Sequence, residues 1–127
     1  MPRLEYFVVA ESVSVDQATN TMSVFHILEE IRAPLFPVVI PKLSAIAHWN
    51  AAPDELDQDF QVSVRISFPD GKLLPFNQNF RMARRRQRTI ANFAGLPISQ
   101  PGTLTIEVSL NGQHFADHTI EVFKIDE

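Results

Sequence analysis

The chain has 127 residues, of which 45% are hydrophobic, and a formal net charge of −4 at pH 7. That length fits a single domain, residues 1–127, which can bury roughly two-thirds of its unfolded surface without a metal or disulfide staple. Because the chain has no cysteine, disulfides, thiol nucleophiles and thiolate metal sites are excluded, and its negative charge is not that of a general nucleic-acid binder.

The first part of the chain predicts a β-hairpin. Residues 4–15, LEYFVVAESVSV, are rich in strand-forming side chains, and residues 21–28, TMSVFHIL, return after the polar turn 16–20. Residues 31–42, IRAPLFPVVIPK, carry three prolines, which indicate a crossover or an interrupted edge segment rather than a central strand. Residues 43–50, LSAIAHWN, predict a strand whose Trp49 belongs to the core.

An acidic loop follows, with room for a single helical turn at residues 53–57. Residues 59–68, DFQVSVRISF, alternate apolar and polar side chains, which is typical of a half-buried strand, and Asp70-Gly71 marks a turn. Residues 103–110, TLTIEVSL, have the same alternation. Asn111-Gly112 is a strong hairpin signal, so residues 115–124 should return as the partner strand.

The stretch FRMARRRQR, residues 80–88, holds five of the chain's eleven basic residues. They are Arg81, Arg84, Arg85, Arg86 and Arg88. In an extended strand of about 3.3 Å per residue, Arg84, Arg86 and Arg88 share one face, while Arg81 and Arg85 fall on the other. Since charge cannot be buried on both faces, the pattern predicts an edge strand or a loop. After it we expect a strand over residues 90–93, followed by a loop set by Gly95, Pro97, Pro101 and Gly102.

These elements amount to seven to nine short strands and predict an all-β, antiparallel sandwich, with a closed barrel as the alternative. Three stretches also carry a resemblance: ESVSVDQATNTMSVFHILEEI, LFPVVIPKLSAIAHW and IANFAGLPISQPGTLTIEVSLNGQ. Together they resemble a family of small bacterial domains with no assigned function. That resemblance implies an immunoglobulin-like β-sandwich and supplies no catalytic or binding residues.

The sequence contains no pattern that predicts catalysis, a cofactor or a metal. His114 and His118 would lie about 13 Å apart along a strand, too far to share one ion. His26 and His48 come from separate strands, and an enzyme would need one of them beside a carboxylate in a pocket. The acidic loop lacks the glycine and spacing of a calcium loop. We therefore expect a protein that is not an enzyme.

No stretch approaches the roughly 20 apolar residues of a membrane span, and the apolar run 6–10 is too short for a signal core. We therefore expect a cytoplasmic protein without membrane contact.

Three interpretations of the arginine stretch are open. Clustered charge on an edge strand can simply prevent edge-to-edge pairing. The favoured functional hypothesis is a non-enzymatic interaction or accessory module that recognises an acidic protein surface through a basic edge and exposed sheet surface. The partner could be a second copy of the chain, contacted through its acidic residues Asp54, Glu55, Asp57 and Asp59. The alternative is binding of a polyanion or nucleic acid, which the net charge and the few interleaved aromatics disfavour.

Overall fold

The structure, a computed structural model, describes residues 1–126 as an all-β arrangement of nine strands with one 3₁₀ turn at Pro53–Glu55. The single turn agrees with the helical turn predicted in the acidic loop. The strands are β1 (Arg3–Val15), β2 (Met22–Ile27), β3 (Glu30–Ala33), β4 (Val38–Asn50), β5 (Asp59–Ser67), β6 (Leu73–Arg81), β7 (Arg86–Ile98), β8 (Gly102–Leu110) and β9 (Gln113–Lys124).

The strands form two sheets, one of four strands in the order β2-β1-β4-β7 and one of five in the order β3-β9-β8-β5-β6. Both predicted hairpins, β1–β2 and β8–β9, are present. The predicted purely antiparallel pairing is wrong at one place, because β3 pairs in parallel with β9. Parallel neighbours need a long connection, and here most of the chain lies between the two strands.

The core lies between the two sheets and takes its side chains from alternate positions of both. Phe60, Val62, Val64 and Ile66 of β5 are buried, as the alternation predicts. Four residues of β8 bury their side chains in the same way: Leu104, Ile106, Val108 and Leu110. Each fully buried aliphatic side chain contributes about 1.5–3 kcal/mol to stability, so this two-sided apolar layer holds the sheets together.

The proline-rich segment crosses from one sheet to the other. Its first part is β3 at the edge of the five-stranded sheet, and its second part begins β4 in the four-stranded sheet. Residues 38–43 of β4 pair with β7, whereas the pairing of β4 with β1 covers only residues 44–50. Pro41 therefore lies where β4 has a single partner strand. The predicted crossover is confirmed, but β4 runs without a break from Val38, five residues before the predicted start.

β7 is longer than expected. The sequence predicts a strand over residues 90–93 and then a loop, but the strand continues to Ile98. Gly95 adopts a φ of +63°, a left-handed conformation that glycine tolerates, within an otherwise regular ladder with β4. Pro97 is accommodated because β7 is the edge of its sheet.

No helix in the part of the chain that the structure describes is long and apolar enough to cross a bilayer.

Candidate functional site

The arginine stretch connects two edge strands of different sheets. Arg81 is the last residue of β6, and Arg86 is the first residue of β7. Between them Met82 is fully buried, donates its N–H to the Gln58 carbonyl (3.0 Å) and accepts the Asp57 N–H (2.8 Å). The prediction of an edge strand or a loop is confirmed, because the five arginines are shared between two edges and their connection.

The five arginine side chains do not lie together on one surface. Arg81 turns back to its own chain, donating from Nε to the Asp57 carbonyl (3.1 Å) and lying 3.8 Å from Asp59 Oδ1. Arg85 lies on another side, where it lines a concavity of about 300 Å³ together with Arg3 and Glu55. Only Arg84, Arg86 and Arg88 are brought together.

The acidic loop is only partly the free surface that the sequence predicts. Glu55 is buried, because its carboxylate pairs with the Met1 amino group (2.6 Å) and accepts the Ala52 N–H (2.7 Å). These two donors hold the pKa of Glu55 below its ordinary value. Glu55 is therefore not part of the exposed acidic surface that the sequence predicts, whereas Asp54, Asp57 and Asp59 are exposed. Since Arg81 contacts Asp59, the acidic loop also adjoins the basic stretch within one chain.

Arg84, Arg86 and Arg88 border an open groove of about 330 Å³, which we call the arginine groove. Its lining is completed by Asn20, His48, Gln87 and Ile90. Arg88 of β7 lies directly opposite His48 of β4 in the ladder, and Asn20 comes from the turn between β1 and β2. Within residues 1–126 no carboxylate lies at ion-pairing distance from Arg84, Arg86 or Arg88.

His48 is a member of the groove that the sequence could not assign. Its half-buried ring stacks on Tyr6 of β1, with ring centroids 5.1 Å apart and planes 2° from parallel. Burial lowers the pKa of His48, and the positive charges of Arg86 and Arg88 lower it further, against a smaller opposing effect of Glu5. A neutral imidazole among guanidinium groups is consistent with a surface arranged for anions.

The groove can hold negatively charged oxygen groups. A guanidinium presents several N–H donors in a planar fork that matches carboxylate and phosphate oxygens. Three such groups close together, with no carboxylate of residues 1–126 at ion-pairing distance, repel one another and are stabilised when an anion lies between them. The chemistry of the site is therefore recognition of an anionic group.

A second polar cluster lies on the exposed face of β8 and β9. A bulge at Phe115 brings His114 and Asp117 to the same face, with Nε2 and Oδ1 2.6 Å apart, and Glu107 lies nearby. His118 is not part of it and contacts the Leu28 carbonyl instead (2.6 Å). Arg65 already forms an ion pair with the Glu107 carboxylate at 2.8 Å, so a metal cation bound there would have to displace the Arg65 guanidinium.

Of the two remaining histidines, His26 contacts a carboxylate on the exposed surface, and the groove that His48 lines includes no carboxylate among the residues described. His26 Nδ1 lies 2.9 Å from Glu11 Oε2, but the His26 side chain is 79% exposed. His48 has arginines as its charged neighbours across the ladder.

Comparisons with known proteins give a family and a fold. The model of a family of unknown function (DUF6941) matches residues 5–123. No curated protein matches the sequence. Among solved structures, Pseudomonas fluorescens alkylpurine DNA glycosylase AlkC, bound to DNA containing an abasic site analog, is similar with a TM-score of 0.52 at 13% identity. The match covers 91% of this chain and 30% of the glycosylase chain, so the likeness concerns the fold of one part of that protein.

Proposed function

This chain belongs to a family of unknown function, and we propose that it is a non-enzymatic binding module that recognises an acidic, extended segment of a protein partner at β7. One observation carries the proposal: Arg84, Arg86 and Arg88 gather at the start of an edge strand, and no carboxylate in the described chain lies at ion-pairing distance from them. As part of the same proposal, the module acts in the cytoplasm.

The edge position supplies the second half of the recognition. β7 pairs with β4 on one side and ends its sheet on the other. An extended peptide can add to such an edge through main-chain hydrogen bonds, while pockets along the edge select its side chains. Carboxylates of the added segment would meet the arginine groove, and this would fix both the register and the direction of the peptide.

We further propose that the fold is immunoglobulin-like. β1, β4 and β7 lie side by side in one sheet, as strands A, B and E do in that fold, and β5, β8 and β9 lie together as C, F and G do. The likeness to part of the glycosylase, with a TM-score of 0.52, supports a shared two-sheet arrangement.

The experiment compares binding of a glutamate-rich, strand-forming peptide to two variants of equal charge. In one, Arg84, Arg86 and Arg88 are replaced by alanine. In the control, alanine replaces three exposed basic residues that each lie near an acid outside the groove: Arg32, Arg65 and Lys72. Fluorescence anisotropy should show binding lost in the first variant and retained in the control. An equal loss of peptide binding in both variants would show that net charge alone explains the binding, and would contradict the proposal.

A nucleic acid is the second candidate ligand, because one observation favours it. The Tyr6–His48 stack lies beside Arg88, which pairs with His48 across the ladder, and aromatic groups next to arginines are typical of single-strand binding surfaces. The glycosylase with a similar fold is bound to DNA. A labelled single-stranded oligonucleotide tests this candidate. Its affinity should fall steeply as the salt concentration rises, and Tyr6→Ala should also weaken it. The absence of binding at low salt would exclude a nucleic-acid ligand.

A second copy of the chain stays a possible partner of the arginine groove, through Asp54, Asp57 and Asp59. Arg81 and Glu55 are already engaged within the chain, which leaves fewer charges for such a contact. Sedimentation at low and high salt tests this form of the proposal. A salt-sensitive oligomer supports it, and a monomer under both conditions excludes it.

A further inference from the structure

Three elements converge on the arginine groove at one point. Arg86 and Arg88 come from β7, His48 comes from β4, and Asn20 comes from the turn after β1. Since His48 and Arg88 are directly opposed in the ladder, their positions are fixed by the sheet rather than by loops. Tyr6 stacks on the imidazole and holds the plane of its ring.

Two buried nitrogens at this point have no hydrogen-bond partner in the described chain: Nδ1 of His48 and Nε of Arg88. A buried polar atom without a partner destabilises the fold, so native proteins leave few of them. Both atoms belong to residues that line the same groove. Both atoms are closed to solvent in this arrangement, so an acceptor reaches them only when the Arg88 side chain moves away from Asn20.

The guanidinium of Arg88 is held weakly at present. Its Nη1 lies 3.4 Å from Asn20 Oδ1 and its Nη2 lies 3.3 Å from the Asn20 carbonyl. Both distances exceed the usual N–H···O distance of about 2.9–3.0 Å, and both acceptors are neutral. A charged acceptor forms shorter and stronger hydrogen bonds with a guanidinium, so an anion competes well with Asn20 for Arg88.

We propose that the arginine groove receives one oxyanion group, a carboxylate or a phosphate, with Arg88 exchanging Asn20 for the anion and His48 acting as a second, proton-dependent donor. The inference rests on the proposed function, because the same arginines would bind the acidic partner, and it adds where one anionic group lies and which residues hold it.

The dependence on protons follows from the charges around His48. Glu5 and Tyr6 face it from β1, and Arg86 and Arg88 face it from β7. Burial lowers the pKa of His48 most, and the arginines lower it further. An anion beside the arginines offsets their part and favours the imidazolium form. The bound state therefore has the higher pKa. Anion binding takes up a proton, and affinity increases as the pH falls.

Sulfate is the suitable probe because its charge does not change across the pH range of interest. The protein is titrated with sulfate at constant ionic strength, at about pH 8 and about pH 5.5, on either side of the usual imidazole pKa, and followed by NMR. We expect saturable shifts centred on His48, Arg86 and Arg88, with tighter binding at the lower pH. Shifts that do not saturate, or that centre elsewhere, would overturn the inference.

Variants separate the donors. Arg88→Ala should weaken sulfate binding about tenfold, the value of one charge-assisted hydrogen bond of about 1.4 kcal/mol. His48→Phe keeps an aromatic ring against Tyr6 and should remove the pH dependence. Asn20→Gly suits the backbone φ of +57° and should not weaken sulfate binding, because it removes Oδ1, one of the two acceptors that compete for Arg88. Weakening by Asn20→Gly equal to that by Arg88→Ala would overturn the exchange.

Acetate and methyl phosphate then distinguish the two sources of the oxyanion at the same residues. The failure of each proposal is also distinct. If the acidic peptide binds and sulfate does not saturate at His48, the inference fails and the proposed function stands. If sulfate binds as expected and the peptide does not, the proposed function fails and the oxyanion site stands.

Discussion

The indole N–H of Trp49 donates to Oγ1 of Thr89 at 3.1 Å, inside the core. Trp49 is fully buried in β4, and Thr89 of β7 is 3% exposed, so no water replaces this contact. The bond joins the strand that carries His48 to the edge strand that carries Arg88. It therefore fixes the register of the two strands that form the arginine groove.

Thr89→Val should destabilise the protein by about 1–3 kcal/mol, because the buried indole N–H loses its acceptor while the side-chain volume is kept. The free energy of unfolding measured in urea checks this value. Thr89→Ser restores the hydroxyl and should lose less. Thr119→Val, at an exposed position of β9, is the control and should change stability by less than about 0.5 kcal/mol. A neutral Thr89→Val would show that the bond is not needed.

Gly102→Ala should cost more than Gly71→Ala. Gly102 has a φ of +143°, and a Cβ there would lie 2.9 Å from Pro69 Cβ. Gly71 has a φ of +91°, and a Cβ there would meet no atom within 4 Å. Backbone strain costs about 1–3 kcal/mol at either position, and only Gly102 adds a steric clash. The difference between the two unfolding free energies measures the clash, and equal costs would contradict it.

The acid stability of the protein should depend on Asp70. The Lys72 N–H (3.0 Å) and then the Ser99 hydroxyl (2.9 Å) lower the pKa of this carboxyl from its usual value of 3.8. A carboxyl with a lower pKa in the folded state stabilises the protein above its unfolded pKa. This contribution is lost as the pH falls through the folded pKa.

Asp70→Asn should therefore be less stable near neutral pH, and its stability should change less between about pH 5 and about pH 3. Unfolding midpoints measured across that range check the prediction. Asp54→Asn is the control, because the Asp54 carboxylate makes no hydrogen bond or ion pair with the residues described. Parallel pH profiles for the wild type and Asp70→Asn would be the contrary result.

Arginines of the same stretch should differ in their effect on anion binding. Arg86→Ala removes a guanidinium from the arginine groove and should weaken binding of the acidic peptide several-fold. Arg81→Ala and Arg85→Ala should change it by less than about twofold, because Arg81 faces the acidic loop and Arg85 lines a different concavity. Equal effects at all three positions would point to general charge attraction.

Most of the fold prediction rests on the alternation of apolar and polar side chains along the strands. Residues 59–68 and 103–110 have one buried face, and a period of two is enough to reveal it. The end of β7 was missed because Gly95 and Pro97 are typical of loops. Both are tolerated there because β7 is an edge strand, and an edge position depends on sheet order, which no local pattern encodes.

The candidate site was predicted only in part, for a similar reason. The spacing of Arg84, Arg86 and Arg88 correctly grouped them on one side. Their meeting with His48 and Asn20 depends on strand register over long sequence distances. The burial of Glu55 could not be predicted, because nothing local indicates that its carboxylate contacts the Met1 amino group.

The position of Met82 has a consequence for how the arginines meet a ligand. Its side chain is buried, and both of its backbone polar groups are bonded to residues 57 and 58, so the middle of the basic stretch is fastened to the core. A ligand arriving at Arg84 or Arg86 meets a backbone that is already ordered, and only side-chain freedom is left to lose. Lengthening the chain between Met82 and Arg86 with glycines would therefore weaken binding, because the segment that carries Arg84 gains conformational freedom while the number of charges stays the same.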